Sequence, residues 1–265
     1  LTNKLLEIQN ATLTVDGRRL WSELNLTVSP GEFIAVIGSN GSGKTSLLKA
    51  ILGQLELDSG SILFEDKEIT LGHPNIGYIP QQRTLEEAND VLVSDLVRFG
   101  LAGHKLGFFL PSLRVRNKVV EALRCADAEE FASRSFGKLS GGEQQRVRIA
   151  QAIVGEPKLL LCDEPLSALD MQQQQIISAL IKREAKEHQT AVLFVTHDVN
   201  PVLDMVDRVL YLANGKFSIG TPDQVLTSEV LSGLYGTPVD VIRNQGRIVV
   251  VGATDHDHHL GEVWQ

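Results

Sequence analysis

Eight residues near the start of the chain, Gly38-Ser39-Asn40-Gly41-Ser42-Gly43-Lys44-Thr45, fit the pattern GxxxxGK[ST], and no other feature narrows the possible folds as much. The motif requires a buried strand before it and a helix after it, and both are legible. Phe33 to Ile37 is a continuous apolar run rich in β-branched residues, as expected of a strand covered on both faces. Helical character follows from about Thr45 to Leu52. Glycines let the intervening backbone curl so that successive N–H groups point inward at phosphate oxygens, and the helix start presents the positive end of its dipole to the same anion. Lys44 adds a full charge at the β- and γ-phosphates, and the Thr45 hydroxyl is placed to ligate Mg²⁺. Gly38 to Thr45, together with the adjacent Ser46, are the candidate phosphate-binding residues.

A second apolar run, Leu159 to Cys162, ends in the acids Asp163 and Glu164. Carboxylates at the carboxyl end of a parallel strand face the ligand crevice. Asp163 is suited to hold Mg²⁺ through water, and Glu164 to polarise an attacking water in line with the γ-phosphate. Around these motifs, Leu6 to Val15 and Leu24 to Val28 read as strands, with turns at Asp16-Gly17 and Pro30-Gly31. Between Gln81 and about Val154, three stretches show helical periodicity: Val91 to Phe99, Val115 to Ala126 and Gly141 to Ile153. Strands at Leu159 to Cys162 and Ala191 to Thr196 flank a helix from about Met171 to His188, a βαβ unit that implies parallel pairing. The tail from Thr221 holds a short helix and a possible hairpin of Val239 to Ile242 with Ile248 to Val251. The expected organisation is an α/β core and β layer over 1–81, a helical subdomain over 82–155, the second part of the core over 156–220 and a C-terminal extension over 221–265.

Several function classes are disfavoured. The longest apolar runs fall far short of the roughly 18 to 20 residues that span a bilayer. The first ten residues lack the basic and apolar segments of an export signal, so a cytoplasmic location is expected. Cys125 and Cys162 show no CxxC spacing and provide neither a disulfide framework nor a metal cage. A formal net charge of −8 argues against a nucleic-acid surface.

Leu139-Ser140-Gly141-Gly142-Glu143-Gln144 opens the third helical stretch, and Ser140 with Glu143 forms an S-x-x-E capping box. These residues also match LSGGQ, the signature of ATP-binding cassette (ABC) ATPases, with Glu143 at the variable fifth position. Asp163-Glu164, Ser167-Ala168-Leu169-Asp170, Gln81 after Ile76-Gly77-Tyr78-Ile79-Pro80, and His197 after an apolar strand fall in the family's order. Over roughly residues 5 to 220 the chain therefore resembles ABC transporter ATP-binding subunits. The resemblance implies a P-loop NTPase (RecA-like) core with an antiparallel β layer and a helical subdomain. It also implies Mg²⁺-dependent ATP hydrolysis in a head-to-tail homodimer, with two ATP molecules sandwiched between chains. In that scheme Ser140, Gly141, Gly142 and Glu143 meet the nucleotide held by the other copy, and Asp170 communicates between the two sites. Glu164 activates water, His197 steadies the γ-phosphate, and Lys44 completes the catalytic set. Gln81 joins Thr45 and Asp163 near Mg²⁺ and links the nucleotide to the helical subdomain. One element departs: an aromatic residue expected to stack on adenine is replaced by Val15, which offers apolar contact instead.

The lack of long coiled-coil arms favours a transporter over DNA-maintenance or ribosome-associated relatives. With no membrane span of its own, the chain is expected to bind separate permease subunits at the cytoplasmic face of the inner membrane, near Gln81 to Phe99. A solute-binding protein would belong to the same system. The run from His73 through Gln82 and the segment Leu234 to Pro238 are similar to ATPases of zinc and manganese importers. The alternatives are an iron-siderophore or haem importer and a drug or lipid exporter. Phe108-Phe109-Leu110 is assigned to subdomain core or permease contact, and Asp255-His256-Asp257-His258-His259 to a polar tail able to capture Zn²⁺.

Overall fold

The computed structural model describes residues 4–81, 90–101 and 112–252; Phe108 to Leu110 and Asp255 to His259 lie outside them. In chain order the elements are β1 (Leu6–Val15), β2 (Arg18–Val28), β3 (Phe33–Gly38), α1 (Lys44–Ile51), β4 (Ser59–Phe64), β5 (Lys67–Glu68) and β6 (Ile76–Ile79). Next come α2 (Val93–Phe99), α3 (Leu113–Cys125), α4 (Gly141–Ile153), β7 (Leu159–Asp163), α5 (Met171–His188) and β8 (Ala191–Val195). The chain continues through β9 (Arg208–Ala213), β10 (Lys216–Gly220), α6 (Pro222–Val225), α7 (Ser228–Tyr235), β11 (Asp240–Asn244) and β12 (Arg247–Val251).

The central sheet runs β10-β9-β3-β8-β7-β6 and is parallel except for β10. An antiparallel sheet, β2-β1-β4-β5, forms the second layer. Every residue of β3, β7 and β8 is buried, as continuous apolar runs predict for strands covered on both sides. Alternate residues still serve different cores. Phe33, Ala35 and Ile37 join Leu160 and Cys162 on the side packed by the helices that follow β6. Ile34 and Val36 join Leu159 and Leu161 on the side packed by α1 and the β layer. Between β6 and β7 the named elements are the helices α2, α3 and α4.

The β1–β2 hairpin turns at Asp16 (φ 51°) and Gly17 (φ 76°), the left-handed pair that a two-residue hairpin needs. Its second strand begins at Arg18 rather than at Leu24 as the pattern predicts. The reason is a bulge: Trp21 pairs with Leu13 while Leu24 pairs with Ala11, and Glu23 takes φ 52°. That extra residue breaks the alternation by which the strand would be read. The tail hairpin β11–β12 is anchored to the core by Asn200, which donates to the Ile248 carbonyl at 2.9 Å and accepts from the Ile248 N–H at 2.8 Å.

Candidate nucleotide-binding and catalytic site

Four neighbouring parallel strands, β3, β8, β7 and β6, deliver their carboxyl ends to one edge of the sheet. The phosphate loop leaves β3, Thr196 and His197 follow β8, Asp163 and Glu164 close β7, and Gln81 comes just after β6. Crossovers that reverse direction about this point open a crevice there.

The loop curls as its glycines require. Gly41 and Gly43 have φ values of 73° and 96°, in the left-handed region that disfavours side chains. A Cβ on Gly38 would lie 2.0 Å from the Leu212 carbonyl oxygen, and one on Gly43 would lie 2.9 Å from Trp21 Nε1. The lysine is buried, and its Nζ donates to the carbonyls of Gly38 at 2.8 Å and Ser39 at 3.0 Å. This cation spans the loop from beneath. A cleft of about 560 Å³ beside it is lined by Val15, Arg18, Leu20, Lys44, Gln81 and Glu164, among others.

The loop and the acidic pair meet directly. Thr45 Oγ1 donates to Asp163 Oδ1 at 3.0 Å, and the Tyr78 hydroxyl donates to Asp163 Oδ2 at 3.3 Å. Burial pushes the Asp163 pKa up, the Thr45 and Tyr78 hydrogen bonds oppose that rise, Glu164 adds to it and Lys44 counters it. A desolvated carboxylate beside a hydroxyl is a donor set suited to Mg²⁺, a hard cation that takes oxygen ligands. Glu164 follows with φ 47°, a conformation rare outside glycine, and its N–H is held by the Val195 carbonyl at 3.0 Å. The turn swings its side chain toward two neighbours. Gln81 Nε2 donates to Glu164 Oε2 at 3.2 Å, leaving the Gln81 carbonyl oxygen as its potential metal ligand. His197 Nδ1 lies 3.9 Å from the same oxygen.

Cys162, next to Asp163, is fully buried, and desolvation raises its thiol pKa. Burial raises the half-buried Cys125 thiol as well. Iodoacetamide is therefore expected to label Cys125 slowly in the native protein and Cys162 only after denaturation. Peptide mapping that finds native labelling of Cys162 would contradict this packing.

The signature residues stand apart from this cleft. Ser140 Oγ accepts from the Glu143 N–H at 3.4 Å and Glu143 Oε2 accepts from the Ser140 N–H at 2.6 Å, forming the expected capping box at the start of α4. That contact with Ser140 holds the Glu143 carboxyl below its usual range. Gly141 and Gly142 form the first turn, and a Cβ on Gly142 would meet Gln173 Oε1 at 2.2 Å. Asp170 caps α5, its Oδ1 accepting from the Gln173 N–H at 2.8 Å. None of these residues lines the cleft beside Lys44. Arg18, Leu20, Trp21 and Tyr78 escaped the sequence reading as site residues. A strand boundary placed at Leu24 hid the first three, and only the pairing of β6 with β7 brings Tyr78 to Asp163.

A parallel sheet carrying a curled phosphate loop and an acidic pair at one edge defines a P-loop NTPase fold. Residues 21–167 match the ABC transporter family model, and the chain belongs to that family. ATP-binding subunits of this family are ATP-hydrolysing transporter ATPases. The spermidine/putrescine import ATP-binding protein PotA of Marinobacter nauticus is 38% identical over 83% of the chain, and the chain spans only 59% of that relative. The manganese transport system ATP-binding protein MntB of Halalkalibacterium halodurans is 31% identical over 94% of the chain and 99% of that protein. A solved ABC transporter assigned to the metal-chelate type, in an inward-facing conformation, is similar with a TM-score of 0.80. It is 31% identical and is covered over 96% of its chain by 94% of this one. No helix among the described residues is long and apolar enough to cross a membrane.

Proposed function

We propose that the chain hydrolyses ATP to power import of a divalent metal ion, zinc or manganese, through separate permease subunits. The observation that carries the hydrolytic reading is the convergence of Lys44, Thr45, Asp163, Gln81, Glu164 and His197 at one sheet edge. For the cargo, support comes from the likeness to the manganese transport relative, 31% identical over 94% of the chain. The likeness to the metal-chelate transporter favours a second reading, import of a chelated iron such as a siderophore or haem.

Lys44 and the loop amides, Gly38 to Ser46, bind and orient the β- and γ-phosphates. Thr45 and Asp163, with Gln81 alongside, would hold Mg²⁺, which when bound neutralises charge on those phosphates. Glu164 accepts a proton from the attacking water, and His197 steadies the γ-phosphate. Val15 covers the base with apolar surface. Catalysis rests on positioning and charge rather than on covalent chemistry. The reaction is ATP + H₂O → ADP + phosphate. A head-to-tail second copy supplies Ser140 to Glu143 over the γ-phosphate, and Asp170 lies between the two sites. The subunit works at the cytoplasmic face of the inner membrane, with a solute-binding protein in the same system. The domains are those of a core interrupted by a helical subdomain over 82–155 and followed by an extension from 221.

Ser140→Ala removes the cap and a phosphate contact together. The expected loss is about 1 kcal/mol of stability by thermal unfolding, with a larger fractional loss of turnover than of ATP affinity in the isolated subunit. An unchanged turnover would contradict the role given to Ser140. The cargo is tested by reconstituting the subunit with its permease partners in vesicles and scanning Zn²⁺, Mn²⁺ and ferric siderophores. Stimulation of hydrolysis by the siderophore and not by Zn²⁺ or Mn²⁺ would transfer the assignment to the second reading.

A further inference from the structure

We infer that Arg18 is a specificity-determining residue of the nucleotide cleft, its guanidinium lying against the face of the purine base. The inference rests on the nucleotide-binding reading of the same cleft and adds to it a base contact that the phosphate loop does not provide.

Strand β2 runs alongside the phosphate loop, and its alternation sends Arg18 and Leu20 to the same face. The two meet successive glycines of the loop. A Cβ on Gly43 would lie 3.0 Å from Leu20 Cβ, and one on Gly41 would lie 3.4 Å from Arg18 Nη1. The cleft therefore has a direction. Its inner end holds Lys44 and Thr45, where phosphates are gripped, and its outer end is the hairpin tip formed by Val15, Asp16 and Arg18.

Val15 and Arg18 face one another across the hairpin turn as a register pair, so both side chains reach the outer end together. Val15 offers an aliphatic wall without a π-face. Arg18 is exposed, and its side chain makes no ion pair or hydrogen bond with the described residues. A planar, weakly hydrated cation with free faces is chemically suited to stack on an aromatic base. Lys44 already occupies the phosphate end, and Arg18 sits farther out, at the rim marked by Gly41. Its charge is thus available to the base while its stem extends the apolar wall begun by Val15 and Leu20.

The test compares two probes on the full chain with Mg²⁺: ATP, which carries the base, and inorganic tripolyphosphate, which does not. Arg18→Ala should weaken ATP binding by about tenfold while leaving tripolyphosphate affinity unchanged. Arg18→Lys, with the charge but no plane, should stay near the alanine value, and Arg18→Tyr, with a plane but no charge, should recover much of the loss. Equal weakening of both probes by Arg18→Ala would assign the cation to phosphate and overturn the inference. So would an ATP affinity that does not change. Failure of the unsubstituted chain to bind either probe would instead remove the nucleotide-binding reading on which the inference stands.

Discussion

Glu164→Gln is expected to retain ATP and to lose turnover by about 10²- to 10⁴-fold, the range a positioned general base contributes. Glutamine keeps the shape of the side chain and can still meet Gln81, whose Nε2 lies 3.2 Å from Glu164 Oε2. What it cannot do is accept a proton from water. The backbone at this position already adopts φ 47°, so the substitution neither creates nor relieves the local strain, and the fold should be undisturbed. With hydrolysis blocked, the ATP-bound dimer should accumulate, visible as a shift to double mass in size-exclusion chromatography with ATP and Mg²⁺. Phosphate release within tenfold of the unsubstituted rate would show that another group takes the proton.

Lys44→Ala acts one step earlier, on binding. The ammonium is buried and donates to the carbonyls of Gly38 and Ser39, which aims it into the loop where phosphate oxygens gather. Hydrogen bonds to charged groups contribute about 1.5–3 kcal/mol each, so losing one such contact lowers ATP affinity by roughly ten- to a hundredfold. Titration calorimetry with ATP and Mg²⁺ measures this directly. An unaltered affinity would contradict the phosphate role of Lys44. A parallel melting curve separates that effect from any loosening of the loop, because the same lysine also ties two carbonyls together.

Much of this architecture is legible in the residues alone, and the reasons are local. The runs at Phe33 to Ile37 and Leu159 to Cys162 are apolar on both faces, which marks central parallel strands, and the structure buries all of them. Met171 to His188 is a helix with the bounds expected, because Asp170 caps one end and Gln189 ends it in a left-handed conformation. What escaped detection depends on partners distant in sequence. The bulge at Glu23 shifts the phase of β2, so Trp21 and Leu20 do not continue the pattern that begins at Leu24. Tyr78 becomes part of the site only because β6 lies beside β7. The expected nucleotide loop, acidic pair, glutamine and histidine are brought to one sheet edge. The residues at the starts of α4 and α5 are held away from the cleft.

The neighbouring placement of β6 and β7 has a mechanical consequence. The polypeptide leaves the sheet after Ile79, at the carboxyl end of β6, and re-enters at Leu159, at the amino end of the parallel strand β7, so the intervening block is rooted at opposite ends of two adjoining strands. Only the first root adjoins the reaction centre, where Gln81 Nε2 donates to Glu164 Oε2 at 3.2 Å, whereas the second lies a strand's length from Glu164.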